Sequence, residues 1–243
     1  MRIVIRCGLL LLLAAYAATG AAQTSQAYYK DGSDKFIAKD YQGALAAFDK
    51  ALGLDPRYTD AWYFRGMTKL ILKDSTAADD FSTVIELDPQ RARAWAYRGM
   101  TKFREEHYTA ALPDFNKAVA LDPNYDEAWF YLGNCNMQLK NYYAAVAYFD
   151  KAVALRPGYT GAIYSRGITR YMLHKYADAV SDFNLSIAQN PDYSTKAYYY
   201  RGMCRIALDQ QALACPDLKT ATDAGVPDAA AMWKKYCRPT SAP

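Results

Sequence analysis

Tyr41-Gln42-Gly43-Ala44-Leu45-Ala46-Ala47-Phe48, closed by Leu54-Asp55-Pro56, belongs to a pattern that recurs along this 243-residue chain. Upstream of it stands Gly32, and equivalent glycines follow at Gly66, Gly99, Gly133, Gly167 and Gly202, with gaps of 34, 33, 34, 34 and 35 residues. A period of this length is one supersecondary unit that cannot bury its own apolar face, so neighbouring units stack into a solenoid. Four positions before each glycine is an aromatic or branched residue: Tyr28, Trp62, Trp95, Trp129, Ile163 and Tyr198. After it come a small residue (Ala44, Ala77, Ala111, Ala145, Ala179, Ala214) and a large one (Phe48, Phe81, Phe115, Phe149, Phe183, Leu218). Large and small residues on fixed rows let two antiparallel helices interdigitate at close range. Pro56, Pro89, Pro123, Pro157 and Pro191 close the first five units, because proline lacks the amide donor and clashes with the preceding helical turn.

The pattern resembles the tetratricopeptide repeat over about residues 25 to 226. The resemblance implies an all-α fold, a right-handed superhelical solenoid of six helix-turn-helix units with a C-terminal capping helix. The units fall at residues 25–58, 59–91, 92–125, 126–159, 160–194 and 195–227. Residues 228–237, with helical spacing at Ala231, Met232 and Tyr236 or Cys237, read as the helix covering the last exposed apolar face.

The N-terminus reads differently. Arg2 and Arg6 precede the apolar run Leu9 to Ala15, followed by small residues through Ala22, the layout of a secretory signal peptide over residues 1–22. Cleavage is expected after Ala22, with Gly20 as the second choice, and a retained anchor is the competing reading. Export to the periplasm or beyond follows. Loss of the two arginines lowers the formal net charge from +4 to about +2, too little for binding a phosphate backbone, and no basic stripe is present. No later apolar run approaches membrane-spanning length, and residues 238–243 read as a disordered tail.

Arginine stands just before the glycine in four units, at Arg65, Arg98, Arg166 and Arg201. Those same units carry an aspartate just before the large residue, at Asp80, Asp114, Asp182 and Asp217. Unit four has Leu132 with Tyr148 instead, and unit one has Asp31 with Ala47. The two positions flank the interhelical turn at similar distances, so an antiparallel hairpin sets them opposite each other. Structural ion pairs are therefore expected, in preference to a basic ligand-binding row.

In this family the first helices line the concave face, and the resemblance implies that residues three before and one after each glycine point into it. These positions hold Tyr29, Tyr63, Phe130, Tyr164 and Tyr199, and Met67, Met100, Asn134, Ile168 and Met203. Phe36, Leu70, Phe103 and Ile206 lie on the same face and read mainly as core. Tyrosine offers contact area at low rotamer cost, and methionine adapts its packing. Family members that clamp a chaperone's terminal carboxylate carry lysine, arginine and asparagine at these positions; only Asn134 fits. The implied partner is a protein or peptide segment with apolar anchors.

Cys215 and Cys237 stand 11 residues either side of Val226, near the centre of the last interhelical turn, so a hairpin brings them within disulfide range. The C-terminal segment also resembles the ending of many exported bacterial tetratricopeptide proteins. Cys135 and Cys204 share one slot of two units and read as small buried fillers; His107 and His174 read as surface turn residues. Neither histidine has companions at metal-ligand spacing, and no nucleophile motif is present. The sequence points to an exported protein-binding scaffold with no enzymatic activity, cofactor or metal. The rival reading is a structural subunit of a cell-envelope assembly, using its convex face or repeat ends.

Overall fold

A computed structural model describes residues 24–189 and 191–237, without the side chains of 191–194. The expected signal peptide and tail lie outside the described residues. The helices are α1 (24–37), α2 (Tyr41–Leu54), α3 (Thr59–Ile71), α4 (Ala77–Leu87), α5 (Ala92–Arg104) and α6 (Tyr108–Leu121). They continue as α7 (Asp126–Gln138), α8 (Tyr142–Leu155), α9 (Thr160–Met172), α10 (Tyr176–Gln189), α11 (Pro191–Ala207), α12 (Gln211–Asp223) and α13 (Ala229–Cys237). No strand occurs among the described residues. The described residues form two compact units, divided between Leu121 and Asp122. The first carries three hairpins; the second carries three more and α13.

Within each hairpin, the glycine row exists because a large side chain lies across it. A Cβ added to Gly133 would meet Phe149 Cε1 at 2.5 Å, closer than any side-chain carbon sits, so only a bare Cα admits the ring. The five phenylalanines Phe48, Phe81, Phe115, Phe149 and Phe183 are completely buried, as is Leu218. The alanine row, buried to the same degree, lets the backbones approach.

The closing Leu-Asp-Pro motif has two further functions. The carboxylates of Asp55, Asp88 and Asp122 accept hydrogen bonds from the backbone N–H two residues on, at 3.0, 3.2 and 3.0 Å, forming the side-chain turns that aspartate favours. The carbonyls of Pro56, Pro89 and Pro123 accept the indole N–H of Trp62, Trp95 and Trp129 at 2.8, 3.0 and 2.9 Å. Each tryptophan thereby fastens a first helix to the turn that precedes it. Pro191 behaves otherwise: it is the first residue of α11. Its missing N–H is harmless in the first helical turn.

The turn inside every hairpin places a non-glycine residue in the left-handed region. Lys39, Lys73, Glu106, Lys140, His174 and Asp209 have φ of 63°, 63°, 61°, 62°, 58° and 58°. The next residue's N–H reaches back five positions, as Asn141 does to the Asn136 carbonyl at 2.8 Å, the pattern of a Schellman cap that normally takes glycine. Lys140→Gly is expected to stabilise the protein by about 0.5–1 kcal/mol, the left-handed strain relieved less the extra unfolded-state freedom of glycine. A urea titration of the variant against the parent measures it.

Candidate functional site

In the first unit, α1 and α3 form an apolar cleft of about 620 Å³ lined by Tyr29, Ser33, Phe36, Ile37, Tyr58 and Phe64, with Lys30 at its edge. Tyr29 is half-buried; its ring lies 4.9 Å from that of Tyr58 and 5.9 Å from that of Phe64, and burial raises its phenol pKa. Ile37 is 78% exposed. Met67 and Met100 are half-buried, Met67 against the core around Phe81.

Tyr63 is placed differently from Tyr29, although both occupy the same slot. It is only 8% exposed, with Phe64, Phe81 and Tyr97 around its ring at 5.5, 6.2 and 5.8 Å and the Arg91 guanidinium 5.0 Å from its centre. Burial pushes its phenol pKa well up. Its ring therefore supports the face more than it presents one.

The second unit repeats this division. Phe130 is half-buried against Tyr159 and Phe149, at 4.9 and 6.0 Å. Asn134 is buried, and its Nδ2 donates to the Phe130 carbonyl at 3.1 Å. Tyr164 and Ile168 pack on the cluster of Phe183 and Cys204, with Tyr171 beside them. Tyr199 and Met203 are half-buried. The most exposed apolar residues of the first helices are Ile37, Ile71 and Met172, at 78, 44 and 43%, five positions after their glycines. The glycine register indexes this row, but nothing within a single repeat marks it as exposed.

The arginines before the glycines lie against the aspartates of their own hairpins. Arg98 donates through Nε and Nη2 to Asp114 at 3.0 and 2.6 Å, and Arg65–Asp80 and Arg201–Asp217 have the same two-pronged geometry. Arg166 reaches Asp182 through Nη2 at 2.6 Å. All four aspartates are buried. For Arg65, burial works against the charge, but hydrogen bonds and the charge of Asp80 outweigh it and hold the guanidinium pKa above its ordinary value.

Two further sets of partners complete this lattice. A second cation four residues after each arginine, Lys69, Lys102, Arg170 or Arg205, binds the same aspartate at 3.0, 2.7, 2.8 and 2.7 Å. The remaining guanidinium nitrogen, Nη1, reaches back to the second helix of the preceding hairpin. It donates from Arg65 to Asp49 at 2.6 Å, from Arg98 to Ser82 at 3.2 Å, from Arg166 to Asp150 at 2.7 Å and from Arg201 to Asn184 at 2.7 Å. These acceptors each follow the buried phenylalanine of their helix. In α12 the same slot holds Lys219, which pairs with Asp223. Each lattice node therefore fixes one hairpin internally and sets its angle to the one before, which positions the first-helix face.

The Cys215 and Cys237 sulfurs lie at bonding distance, with Cα atoms 5.5 Å apart. Cys135 and Cys204 are buried free thiols whose pKa burial pushes up to about 12. His107 and His174 are exposed; His107 faces Glu105 at 3.5 Å and His174 Nδ1 meets the Tyr176 hydroxyl at 2.6 Å. Among the described residues no helix is long and apolar enough to cross a membrane, and no three His, Cys, Asp or Glu side chains form a metal-binding group.

The tetratricopeptide repeat model matches residues 29–92 and 98–160, and the chain belongs to that family. Tetratricopeptide repeat proteins are scaffolds for protein interaction. No curated protein matches the chain. Among solved structures it is similar to YrrB, described as a TPR protein with an unusual peptide-binding site, at 25% identity over 70% of this chain and 89% of that one, with a TM-score of 0.60. It is similar also to PilF of Pseudomonas aeruginosa, at 16% identity over 89% and 99% with a TM-score of 0.76. PilW, described as a widely conserved type IV pilus biogenesis factor, gives 20% identity over 86% and 98% with a TM-score of 0.71.

Proposed function

We propose that this protein is an exported scaffold whose first-helix face holds a protein or peptide segment by apolar anchors. The observation that carries the reading is the cleft between α1 and α3, apolar and open, with Ile37 left 78% exposed at its edge. An exposed aliphatic side chain beside tyrosine and phenylalanine rings suits an aliphatic or aromatic anchor. The peptide-binding site named for YrrB is in keeping with this. Export rests on Arg2, Arg6 and the run Leu9 to Ala15, and a bond between Cys215 and Cys237 would suit an oxidising compartment. In the first compact unit Tyr29, Met67 and Met100 form the half-buried floor of this face, with Tyr63 beneath it; in the second, Phe130, Tyr164, Ile168, Tyr199 and Met203 form a floor of the same kind, with Asn134 buried among them.

A second reading, a structural subunit using another surface, is favoured by the exposed Leu155, Leu185 and Leu213 on second helices, at 39, 47 and 54%. Affinity capture from an envelope extract separates the two. The double variant Ile37→Ser, Ile71→Ser, which removes the most exposed aliphatic groups of α1 and α3, is expected to weaken partner capture at least tenfold, since a few apolar anchors dominate such interfaces. Both residues are exposed, so stability should stay within about 0.5 kcal/mol of the parent. Full capture by this variant, with loss by Leu155→Ser, Leu185→Ser, Leu213→Ser, would overturn the first reading in favour of the second.

A further inference from the structure

We propose that Cys215 and Cys237 form a redox latch, and that reduction by a dithiol releases α13 from the last hairpin while the rest of the chain stays folded. Helix α13 has nine residues and buries only Ala229 fully. Helices this short are not stable alone in water, and Met232, Trp233 and Tyr236 are only half-buried. At its start the turn is held by backbone bonds from Gly225 to Thr222 and from Val226 to Ala221, both 2.9 Å. At its end, apart from the sulfur pair, Gln211 Nε2 donates to the Tyr236 carbonyl, a bond made from an exposed side chain that water can replace. The covalent link joins the final residue of α13 to the first turns of α12, where the apolar attachment is weakest. Both cysteines are half-exposed and open to a reductant.

The chemistry is thiol–disulfide exchange. A thiolate of the dithiol attacks one sulfur of the bridge, the S–S bond breaks, and the departing cysteine thiolate takes a proton. The second reductant thiol then displaces the mixed disulfide. Two electrons pass from the dithiol, which becomes a disulfide, to the bridge, which becomes two thiols. Asp228, just before α13 at a φ of 64°, faces Tyr199, whose phenol pKa is raised first by burial and further by that carboxylate. The latch thus acts at the end of the first-helix face, yet stands independently of what that face binds.

Hydrogen exchange on the intact purified protein, with and without dithiothreitol, tests the proposal. Reduction should lower amide protection across residues 229–237 at least tenfold, leave residues 24–189 unchanged, and be reversed by reoxidation. The variant Cys215→Ser, Cys237→Ser should behave as the reduced protein without any reductant. Alkylation at pH 8 provides a parallel readout. Reduction should make two thiols newly reactive, because the buried Cys135 and Cys204, with pKa near 12, react slowly in either state. Unchanged protection of 229–237 on reduction, a double variant as protected as the oxidised parent, loss of helicity throughout the chain, or recovery of both Cys215 and Cys237 as free thiols from the unreduced denatured protein would each overturn the latch.

Discussion

Replacing Asp114 with alanine should lower the unfolding free energy by about 3 kcal/mol, the lower end of the cost of stranding partly buried charge. The side chain of Asp114 is 3% exposed and is shared by Arg98 and Lys102, themselves only 19 and 27% exposed. Without it, both cations lose their counter-ion in a partly desolvated site. The chain contains its own control. Unit four fills the corresponding positions with Leu132, Asn136 and Tyr148, Leu132 fully buried and Tyr148 stacked on Trp129 at 5.9 Å. The triple variant Arg98→Leu, Lys102→Asn, Asp114→Tyr is therefore expected to regain most of the loss, because apolar replacement of a buried ion pair is often neutral or better. Urea unfolding of the parent and both variants decides the point. A triple variant less stable than Asp114→Ala would show that the lattice has no apolar equivalent in this hairpin.

Phe149→Ala should cost about 3–5 kcal/mol through lost burial and the cavity left behind. The ring is fully buried and lies over Gly133, where a rigid helical backbone limits collapse into the space. Gly133→Ala, which sets a methyl group against the same ring at 2.5 Å, should cost about 1–3 kcal/mol by overpacking. Combining Gly133→Ala with Phe149→Leu should cost less than the sum of the separate changes, because the smaller side chain makes room for the methyl group. Chemical denaturation of Gly133→Ala, Phe149→Leu and their combination, each against the parent, gives the coupling directly. Strict additivity would show that the glycine and the ring are not in contact.

The helical hairpins were legible because their determinants are local and repeated. A glycine, an alanine and a phenylalanine in fixed register name the two helices and the face each buries. The arginines and aspartates that occur together in four units are the residues the hairpins bring together, since only one turn separates them. The reach from Arg65 to Asp49 or from Arg166 to Asp150 was not read, because it exists only once hairpins stack and nothing within a single unit points to it. The second cations were visible at helical spacing from each arginine, but basic residues on helices are too common to stand out. The candidate face was the least legible. Tyr29 and Tyr63 occupy the same slot, but the residues set against them differ, Tyr58 and Phe64 around the half-buried first and Arg91 and Tyr97 around the buried second. Solvent exposure along one row is decided by the neighbouring unit, which periodicity alone does not describe. Pro191 departed from its row for a related reason: a proline after a helix and a proline opening one look alike in sequence.

The slot after each buried phenylalanine carries an instruction about assembly. Asp49, Ser82, Asn116, Asp150 and Asn184 all carry small side chains that can accept a hydrogen bond, and the reach-back bonds from Arg65, Arg98, Arg166 and Arg201 end on four of them, Asp49, Ser82, Asp150 and Asn184. Any hairpin presenting an arginine in the usual place can dock on such a residue, so repeats built this way are interchangeable parts that can be copied or exchanged without redesigning the junction. Lys219 breaks the series. Its ammonium group, held by Asp223, would face the guanidinium of any further hairpin and repel it. Addition of a further repeat beyond α12 is therefore opposed by charge at the junction itself, independently of the helix that covers it.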